Sequence, residues 1–409
     1  MKRWKKLFLI LFVVVLLSQA PFAYRRYKLG RLHAAIQQVN SQRQAEEESN
    51  FVEHKGVMHV HSFLGGHSRG NFEEIIAAAQ SNQLDFVVMT EHPSKNFNTA
   101  EMTLKGEHGG VLFLNGNEVV TKNRDRLLLV PGDAQAAADS EWSTQEVLSR
   151  RNSGLALAAY PDEFKSWDAT GYKGVEVYNV YTNALEINPL LMFFDGLWSY
   201  RSYPDLLFAN FYRKPTENLK KWDEQISRKG ERLVATAGND SHANVGISLK
   251  DSTGKTLLGI KLDPYERSFR LVRLHVLTDR APLAGDLSLP VLDQATLLSA
   301  ISAGHCFVGF DLFGDTTGFR FTADNGDEKR IMGDEIKLEE QVVLNVSVPL
   351  PARVLLLKDG VQIHEATRVN RMDFVANEKG SYRVEVYLPQ LPKPVGDQPW
   401  IISNPIYVR

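Results

Sequence analysis

The chain has 409 residues, 43% of them hydrophobic and 23% charged, which is ordinary for a globular protein but too long for one average domain. Its 47 basic and 49 acidic residues give a formal net charge of −2, so we expect no nucleic-acid partner, because such proteins usually carry a basic excess. Cys306 is the single cysteine, which excludes an intrachain disulfide and a cysteine-based zinc site, so nitrogen and oxygen must hold any metal.

The N-terminus has the order of a targeting segment. Met1 to Lys6 is basic and Leu7 to Leu17 is an uninterrupted apolar run, which is typical of a secretory signal or a signal anchor; we assign residues 1–24 to it. Pro21 disfavours cleavage after the small residue before it, and basic residues on both sides orient the segment only weakly. We predict a retained membrane anchor with the body outside the cytoplasm, in the periplasm. A cleaved signal peptide and a secreted protein are the alternative.

Residues 25–50 are polar. Leu32, Ile36 and Val39 recur there at helical spacing. We therefore predict a helical stalk between the membrane and the catalytic body.

Apolar strands alternate with helices from residue 51 to about 335. Helices are predicted from residue 71 and at 145–151, 217–229 and 294–303, and strands at 57–61, 84–89, 111–114, 155–160, 175–178, 233–237, 271–277 and 306–310. Such alternation indicates a parallel sheet covered on both faces. We predict an α/β barrel whose active site lies at the carboxyl ends of the strands.

One apolar stretch interrupts this alternation. From about Ala184 to Pro215 the chain is rich in Leu, Phe, Tyr and Trp, and the helix after it extends the region to about residue 230. We interpret the region as a helical insertion over the barrel mouth. A dimer surface and a membrane-facing patch are the alternatives.

After about residue 335 the pattern changes to short alternating strands. Asp359-Gly360 is a strong hairpin signal, and strands are predicted at 341–348, 353–358, 361–365, 372–375, 381–388 and 406–409. We predict a small β-sandwich over residues 336–409. It would steady the barrel, cover one edge of the site or bind a partner.

Histidines and carboxylates cluster at the predicted strand ends. Two residues separated by one lie on the same face of a strand, so His59 and His61 can bind one ion, and Asp240 and His242 repeat this spacing. The predicted metal ligands are His59, His61, His67, His92, Glu118, Asp240 and His242. Without cysteine these side chains suit one or two ions of Zn, Mn or Fe, and two ions about 3.5–4 Å apart would clamp the oxygens of a displacement.

Isolated ionisable residues are more often ordinary core or surface groups, which we expect of His275 as of the other lone histidines. Arg69 and Lys122 lie near the predicted rim. They would either bind a phosphate or remain solvated surface charges.

Several of these motifs together resemble the PHP family, named for polymerase and histidinol phosphatase. The matching runs, within residues 53–335, are His59-Val-His-Ser62 with His67, Met89-Thr-Glu-His92, Gly116-Asn-Glu118 and Gly238-Asn-Asp-Ser-His242. The resemblance implies a distorted seven-stranded α/β barrel with up to three ions at its C-terminal face. It implies one ion on His59, His61, Glu118 and Asp240, and a second on His67, His92 and His242.

Two positions depart from the family pattern. Tyr160, before Pro161, and Asn179 stand where the family has histidines, which with Glu118 would hold a third ion. We therefore predict at most two metals. The run Glu176-Val-Tyr-Asn179 resembles the branch that includes carbaryl hydrolases, which cleave a carbamate ester.

We predict a metal-dependent hydrolase, with phosphoesterase as the leading activity and a small phosphorylated ester as substrate. A metal-activated water would attack phosphorus or a carbonyl carbon. His242 would stabilise developing charge, and Tyr160 would donate a hydrogen bond to the substrate or the water. The alternatives are a carboxylester, carbamate or amide hydrolase, and a membrane-tethered binding module whose metal site is not catalytic.

Overall fold

The computed structural model describes residues 3–44, 50–151, 153–185, 188–210, 212–244, 246–250, 256–261, 263–280 and 292–409, which form a mixed α/β fold with large sheets. The helices are α1 Arg3–Asn40, α2 Phe72–Ser81, α3 Thr99–Met102, α4 Thr144–Ser149, α5 Val180–Leu185, α6 Pro189–Ser199, α7 Thr216–Lys229, α8 Tyr265–Leu271 and α9 Gln294–Ala303. The strands of the first half are β1 Phe51–Val60, β2 Phe86–Met89, β3 Gly106–His108, β4 Val111–Leu114, β5 Asn117–Val120, β6 Arg126–Val130, β7 Leu155–Ala159, β8 Gly174–Asn179 and β9 Val234–Gly238. The later strands are β10 Gly246–Lys250, β11 Thr256–Lys261, β12 Arg273–Asp279, β13 Cys306–Gly309, β14 Arg320–Asp324, β15 Lys329–Ile331, β16 Glu335–Ile336, β17 Val342–Lys358, β18 Val361–Ala376, β19 Gly380–Tyr387, β20 Pro399–Ser403 and β21 Ile406–Val408.

Two sheets form the body of the protein. One has five strands in the order β5-β6-β7-β8-β9, and the other has 14 strands, with β1 and β2 near one end and the C-terminal strands at the other. Both are only partly parallel: β1-β2-β4 and β7-β8-β9 run parallel, whereas β5-β6-β7 and β1-β12-β13 run antiparallel. The prediction of a parallel sheet is therefore wrong for the antiparallel groups β5-β6-β7 and β1-β12-β13. The turn between β5 and β6 is too short for a parallel crossover, which needs about a dozen residues or more.

The two sheets meet at two seams. Val60 of β1 bridges to Ser241 after β9, and Glu91 after β2 bridges to Asn117 of β5. At the first seam the amide of His61 also donates to the carbonyl of Ser241 at 3.1 Å. These bridges gather the carboxyl ends of β1, β2 and β9 beside β5. Continuous strand pairing does not close the sheets into a ring, so the closed seven-stranded barrel stays a prediction.

The C-terminal strands continue the sheet that contains β1. Strand β13 pairs with β20, and β20 pairs with β19, which is joined to β17. The predicted hairpin at Asp359-Gly360 is present between β17 and β18, and both residues have the positive φ that a type I′ turn needs. Strands β17 and β18 each merge two of the predicted short strands. A separate sandwich over residues 336–409 stays a prediction.

Helix α1 has two unlike halves. Its first half is apolar and exposed, and it is long and apolar enough to cross a membrane; a signal sequence meets the same criteria. In its second half Leu29, Leu32, Ile36 and Val39 are buried against the body. The helical part of the predicted stalk thus packs on the protein and does not stand clear of it. Residues 45–49 lie outside the described residues.

His275 lies at the centre of a buried charge network. Its Nδ1 is 2.8 Å from Glu53 Oε1, and its Nε2 is 3.3 Å from both carboxylate oxygens of Asp311. Burial opposes its positive charge, but the attraction of Asp311 and Glu53 outweighs burial and raises the pKa of His275 to about 9. The ring is thus a buried imidazolium that joins β12 to β1.

We expect the ion pairs of His275 with Glu53 and Asp311 to make the free energy of unfolding depend on pH. Because the folded pKa of about 9 lies above the ordinary 6.5, the stabilisation is complete below pH 6.5 and is lost as pH rises through 9. His275→Gln should remove that pH-dependent part, roughly 3 kcal/mol of unfolding free energy, as measured by denaturant unfolding of the full chain in micelles between pH 6 and 10.

His305→Gln is the matched control, because His305 also faces a carboxylate, Asp334 at 2.8 Å, but is partly exposed. It should keep the pH dependence of the parent chain. Equal pH profiles for His275→Gln and the parent would contradict the assignment.

Candidate metal centre

The predicted ligands lie where the two sheets meet. His59 has a φ of +62° and interrupts the register of β1 against β2, between Met58 and Val60. Asp240 has a φ of +48° directly after β9. Such left-handed conformations cost non-glycine residues on the order of 1–3 kcal/mol each and concentrate at functional sites. His59 and His61 therefore come together through a bulge, and not through the regular alternation of a strand.

Four ligand atoms converge on one point. The Nε2 of His59 is 3.2 Å from Glu118 Oε2 and 3.6 Å from Asp240 Oδ1, and the Nε2 of His61 is 3.4 Å from each of these oxygens. A tetrahedral ion with bonds of roughly 2.0–2.1 Å requires ligand atoms about 3.3–3.4 Å apart. The four distances between these nitrogens and oxygens are close to that spacing, so the side chains can hold a metal ion.

A second group adjoins the first. His61, His92 and His242 also bring ligand atoms within 4.8 Å of one another. The Nδ1 of His92 lies 3.6 Å from Glu118 Oε2, and the Nδ1 of His242 lies 3.4 Å from Asp240 Oδ1. The carboxylates of Glu118 and Asp240 therefore face both groups, as bridging ligands would.

His67 is placed apart from this second group. Its ring packs edge-on to that of His92 with centroids 5.0 Å apart, but among the described residues it belongs to neither cluster of ligand atoms. The side chain is exposed, and the loop that carries it is tied back where Asn244 donates to its carbonyl. The structure thus brings the other predicted ligands together and leaves His67 at the edge.

Unsatisfied polar atoms show that the site fits a cation. Both ring nitrogens of His61 and Oδ1 of Asp240 are buried, and none of them has a hydrogen-bond partner among the described residues. Buried polar atoms are usually satisfied, and leaving them unpaired costs about 1–3 kcal/mol each. A divalent ion would accept a lone pair from His61 Nε2 and one from Asp240 Oδ1 at the same time.

Metal binding requires deprotonated ligands, and three of the four ligands of the first group are already in that state. Burial lowers the pKa of His61 to about 3, so its ring stays neutral. Burial alone would raise the pKa values of Glu118 and Asp240, but the neighbouring histidines hold both well below their usual range. For His59 burial is outweighed by Glu176 and Asp240, which raise its pKa. A bound cation would replace the proton of His59 and supply the positive charge that the neighbouring carboxylates attract.

A second set of side chains holds the ligands in place. Glu176 Oε1 lies 2.6 Å from Nδ1 of His59, which points the Nε2 of that ring at the convergence point. Asn179 donates to Glu176 Oε2 at 3.1 Å and to Asp240 Oδ2 at 3.3 Å. Tyr160 donates to the same Oδ2 of Asp240. Sequence analysis placed Tyr160 against the substrate or water, whereas here its hydroxyl fixes a ligand.

Arg126 was missed by sequence analysis. Its guanidinium donates to Glu118 Oε1 at 2.8 Å and lies 4.6 Å from the ring centre of Tyr160. The signal was available in the hairpin: Val120 pairs with Arg126, so Arg126 and Glu118 are diagonal neighbours on one face. Glu176 was also available, as a charged residue inside an otherwise apolar strand.

Glu91 has a structural role. Its carboxylate is buried and accepts the amide of Ser62 at 3.0 Å and the hydroxyl of Thr103 at 2.9 Å. It therefore fixes the loop after β1. Arg69 and Lys122, the two candidate phosphate binders, are both exposed.

Comparisons with known proteins found no matching protein-family model and no matching curated protein. Among solved structures the chain is similar to PsfC from Pseudomonas syringae PB-5123, with 13% identity, a TM-score of 0.35 and coverage of 61% of this chain and 89% of PsfC. It is also similar to a two-domain protein from Bacteroides vulgatus ATCC 8482 containing a predicted PHP-like metal-dependent phosphoesterase, with 11% identity, a TM-score of 0.38 and coverage of 89% and 98%. With TM-scores this low, neither likeness carries an inference, and function must be judged from the site itself.

Glu176 offers a test of how the ligands are held. Glu176→Gln should weaken metal binding by about 10–100-fold, because His59 loses the charged acceptor that orients it. Calorimetric titration of the metal-free full chain with Zn²⁺ or Mn²⁺ would measure this. Glu107→Gln, at an exposed position on β3, is the control and should bind as the parent does. Unchanged affinity in Glu176→Gln would show that the contact does not support the ligand.

Proposed function

We propose that the protein is a metal-dependent hydrolase and that phosphate esters are its substrates. The observation that carries this proposal is the convergence of ligand atoms from His59, His61, Glu118 and Asp240, with His92 and His242 directly beside it. Two adjoining ligand groups that share carboxylates are the arrangement expected for in-line displacement at phosphorus. The PHP resemblance of the same motifs, including the seven-stranded barrel it implies, agrees with this assignment.

A divalent ion held there would polarise the ester and acidify water. The chain's own residues prepare the site for that chemistry. Glu176 fixes the ring of His59, while Tyr160 and Asn179 occupy Oδ2 of Asp240 and leave Oδ1 directed at His61. No ligand has to reorganise when substrate enters, which is how preorganised sites lower a reaction barrier.

His242 is the candidate for proton transfer. It is partly exposed and lines a large cavity together with Asp240, so it can reach a leaving oxygen. With one ion on the buried group, His242 would be free for this role. With two ions it would be a ligand.

Arg126 bears on the number of ions. Its guanidinium lies among Glu118 and Tyr160, two of the positions that the family resemblance associates with a third ion. We infer that this fixed positive charge stands in place of a third cation. Elemental analysis of purified full-length protein should therefore find one or two ions of Mn, Zn or Fe per chain and not three.

A carboxylester, carbamate or amide hydrolase is the second candidate. The run Glu176-Val-Tyr-Asn179 favours it through its resemblance to the carbaryl-hydrolase branch, and a single bound ion would favour it further. Bound metal without turnover of any substrate would indicate a non-catalytic binding module.

A substrate panel separates these functions. The metal-loaded full chain should hydrolyse p-nitrophenyl phosphate or bis-p-nitrophenyl phosphate faster than p-nitrophenyl acetate. His61→Ala should lower kcat/KM by at least about 100-fold, an expected loss of about 3 kcal/mol of transition-state stabilisation. His54→Ala is the control, since His54 lies on the same strand but contacts Thr278. Preference for acetate would favour the second candidate, and bound metal without turnover would favour the binding module.

Tyr160→Phe distinguishes positioning from substrate contact. If the hydroxyl acts through Asp240, the variant should bind metal about tenfold more weakly while KM at saturating metal stays unchanged. A raised KM with unchanged metal affinity would instead place the hydroxyl on the substrate. Tyr172→Phe is the control, because Tyr172 is also buried and its hydroxyl donates to the carbonyl of Trp167.

A further inference from the structure

A cavity of about 790 Å³ runs from the metal centre to helix α1. Asp240 and His242 line it, and so do Lys28, Arg31 and Leu32 of α1. This volume lies within the roughly 300–1,000 Å³ of small-molecule sites. Part of the cavity wall is thus the second half of α1, the helix that also carries the apolar N-terminal run.

Helix α6 forms another wall and fixes its position relative to α1. Trp198 donates to Gln19 at 3.0 Å, and the rings of Phe22 and Phe194 stack with centroids 4.8 Å apart. Arg25 binds Asp195 through both guanidinium arms, at 2.7 and 2.5 Å. Helix α6 is therefore fastened to α1 at residues 19–25.

These contacts place α6 at the level of a membrane surface. Residues 4–24 of a helix span about 30 Å, which equals the hydrocarbon thickness of a bilayer. The side chains of α6 that face away from the body are large and apolar: Leu190 is 65% exposed and Leu197 is 69% exposed. Exposed apolar patches of this kind mark interaction surfaces, and beside a membrane-crossing segment the surface at hand is lipid.

The lining of the cavity is both apolar and cationic. Leu29, Leu191 and Met192 supply an apolar wall, while Lys28 and Arg31 bring positive charge to the same space. Basic residues just beyond a membrane-crossing segment attract anionic lipid headgroups. A ligand that suits this lining has an acidic head and a hydrocarbon tail.

We propose, on the basis of the proposed function, that the substrate is a membrane amphiphile with a phosphate-ester headgroup, which enters this cavity from the bilayer. Its tail lies along Leu29 and Leu191, and its phosphate reaches Asp240 and His242. Hydrolysis breaks the phosphorus–oxygen ester bond: the oxygen of water bonds to phosphorus and keeps one proton as a hydroxyl group, and the other proton goes to the leaving oxygen. The phosphate product is released to the aqueous side.

Photolabelling tests the cavity independently of turnover. The full chain in phosphatidylcholine vesicles is irradiated with phosphatidic acid that carries a diazirine on its acyl chain, and labelled peptides are identified by mass spectrometry. Labelling is expected around Leu29–Leu32 and Leu191–Met192, with at least a fivefold loss on adding unlabelled phosphatidic acid. Glycerol 3-phosphate at the same concentration should compete less. Labelling confined to residues 7–24, or labelling that the competitor does not reduce, overturns the inference.

Gly196 allows the cavity to be filled without strain. It lines the cavity, and a Cβ built there meets no heavy atom within 4 Å. Gly196→Trp should reduce the labelling of Leu191–Met192 by at least fivefold and lower the ratio of phosphatidic acid to p-nitrophenyl phosphate hydrolysis by about tenfold. Gly196→Ala and Lys220→Trp, the latter at an exposed position on α7, should label as the parent does.

The outcomes separate this inference from the function on which it rests. Hydrolysis of p-nitrophenyl phosphate without competed labelling overturns the lipid substrate and leaves the hydrolase. Competed labelling without hydrolysis of any ester overturns the hydrolase, and with it the lipid's role as substrate.

Discussion

Everything in this site depends on the burial of two carboxylates at the seam between two sheets. Glu118 and Asp240 are each almost fully inaccessible to solvent, and both direct an oxygen at Nε2 of His61. Two anions in such surroundings repel each other and lose their hydration, so the folded state needs positive charge between them. The imidazole nitrogens of His59 and His61 complete a shell that suits a small divalent ion, and the unpaired atoms of His61 and Asp240 mark the point where it would bind.

The surrounding chain is built to keep these oxygens in place. Left-handed backbone at His59, Tyr160 and Asp240 departs from regular strand geometry at three of the points where strands approach the site. These strained backbone conformations persist because further contacts hold the residues, such as that of Glu176 with His59. Arg126 adds a permanent positive charge on the far side of Glu118. With a metal ion bound, the negative charge of the site would be balanced by that ion together with Arg126.

Access to this centre involves the N-terminal helix. Its apolar half is exposed while its second half is packed on the body, so the helix joins the body that holds the candidate metal centre to whatever environment surrounds residues 7–17. Helix α6 contacts α1 next to this transition and forms a wall of the cavity that ends at His242. In the proposed arrangement the same helix anchors the protein and shapes the route to its metal centre.

The sequence by itself determined the chemistry and the local structure. The histidines and acids at strand ends, the apolar N-terminal helix and the Asp359-Gly360 turn were all predictable, because each depends on the residue types and spacing within a short segment. Tertiary structure alone decided what depends on distant contacts: the antiparallel course of β5-β6-β7, the bulge at His59 and the packing of α1 on the body. It also set His61, and not His67, beside His92 and His242, and it turned Tyr160 and Arg126 toward the carboxylates. Apart from Arg126, which shares a hairpin with Glu118, these side chains are placed by strands far apart in the chain, whose register no local pattern specifies.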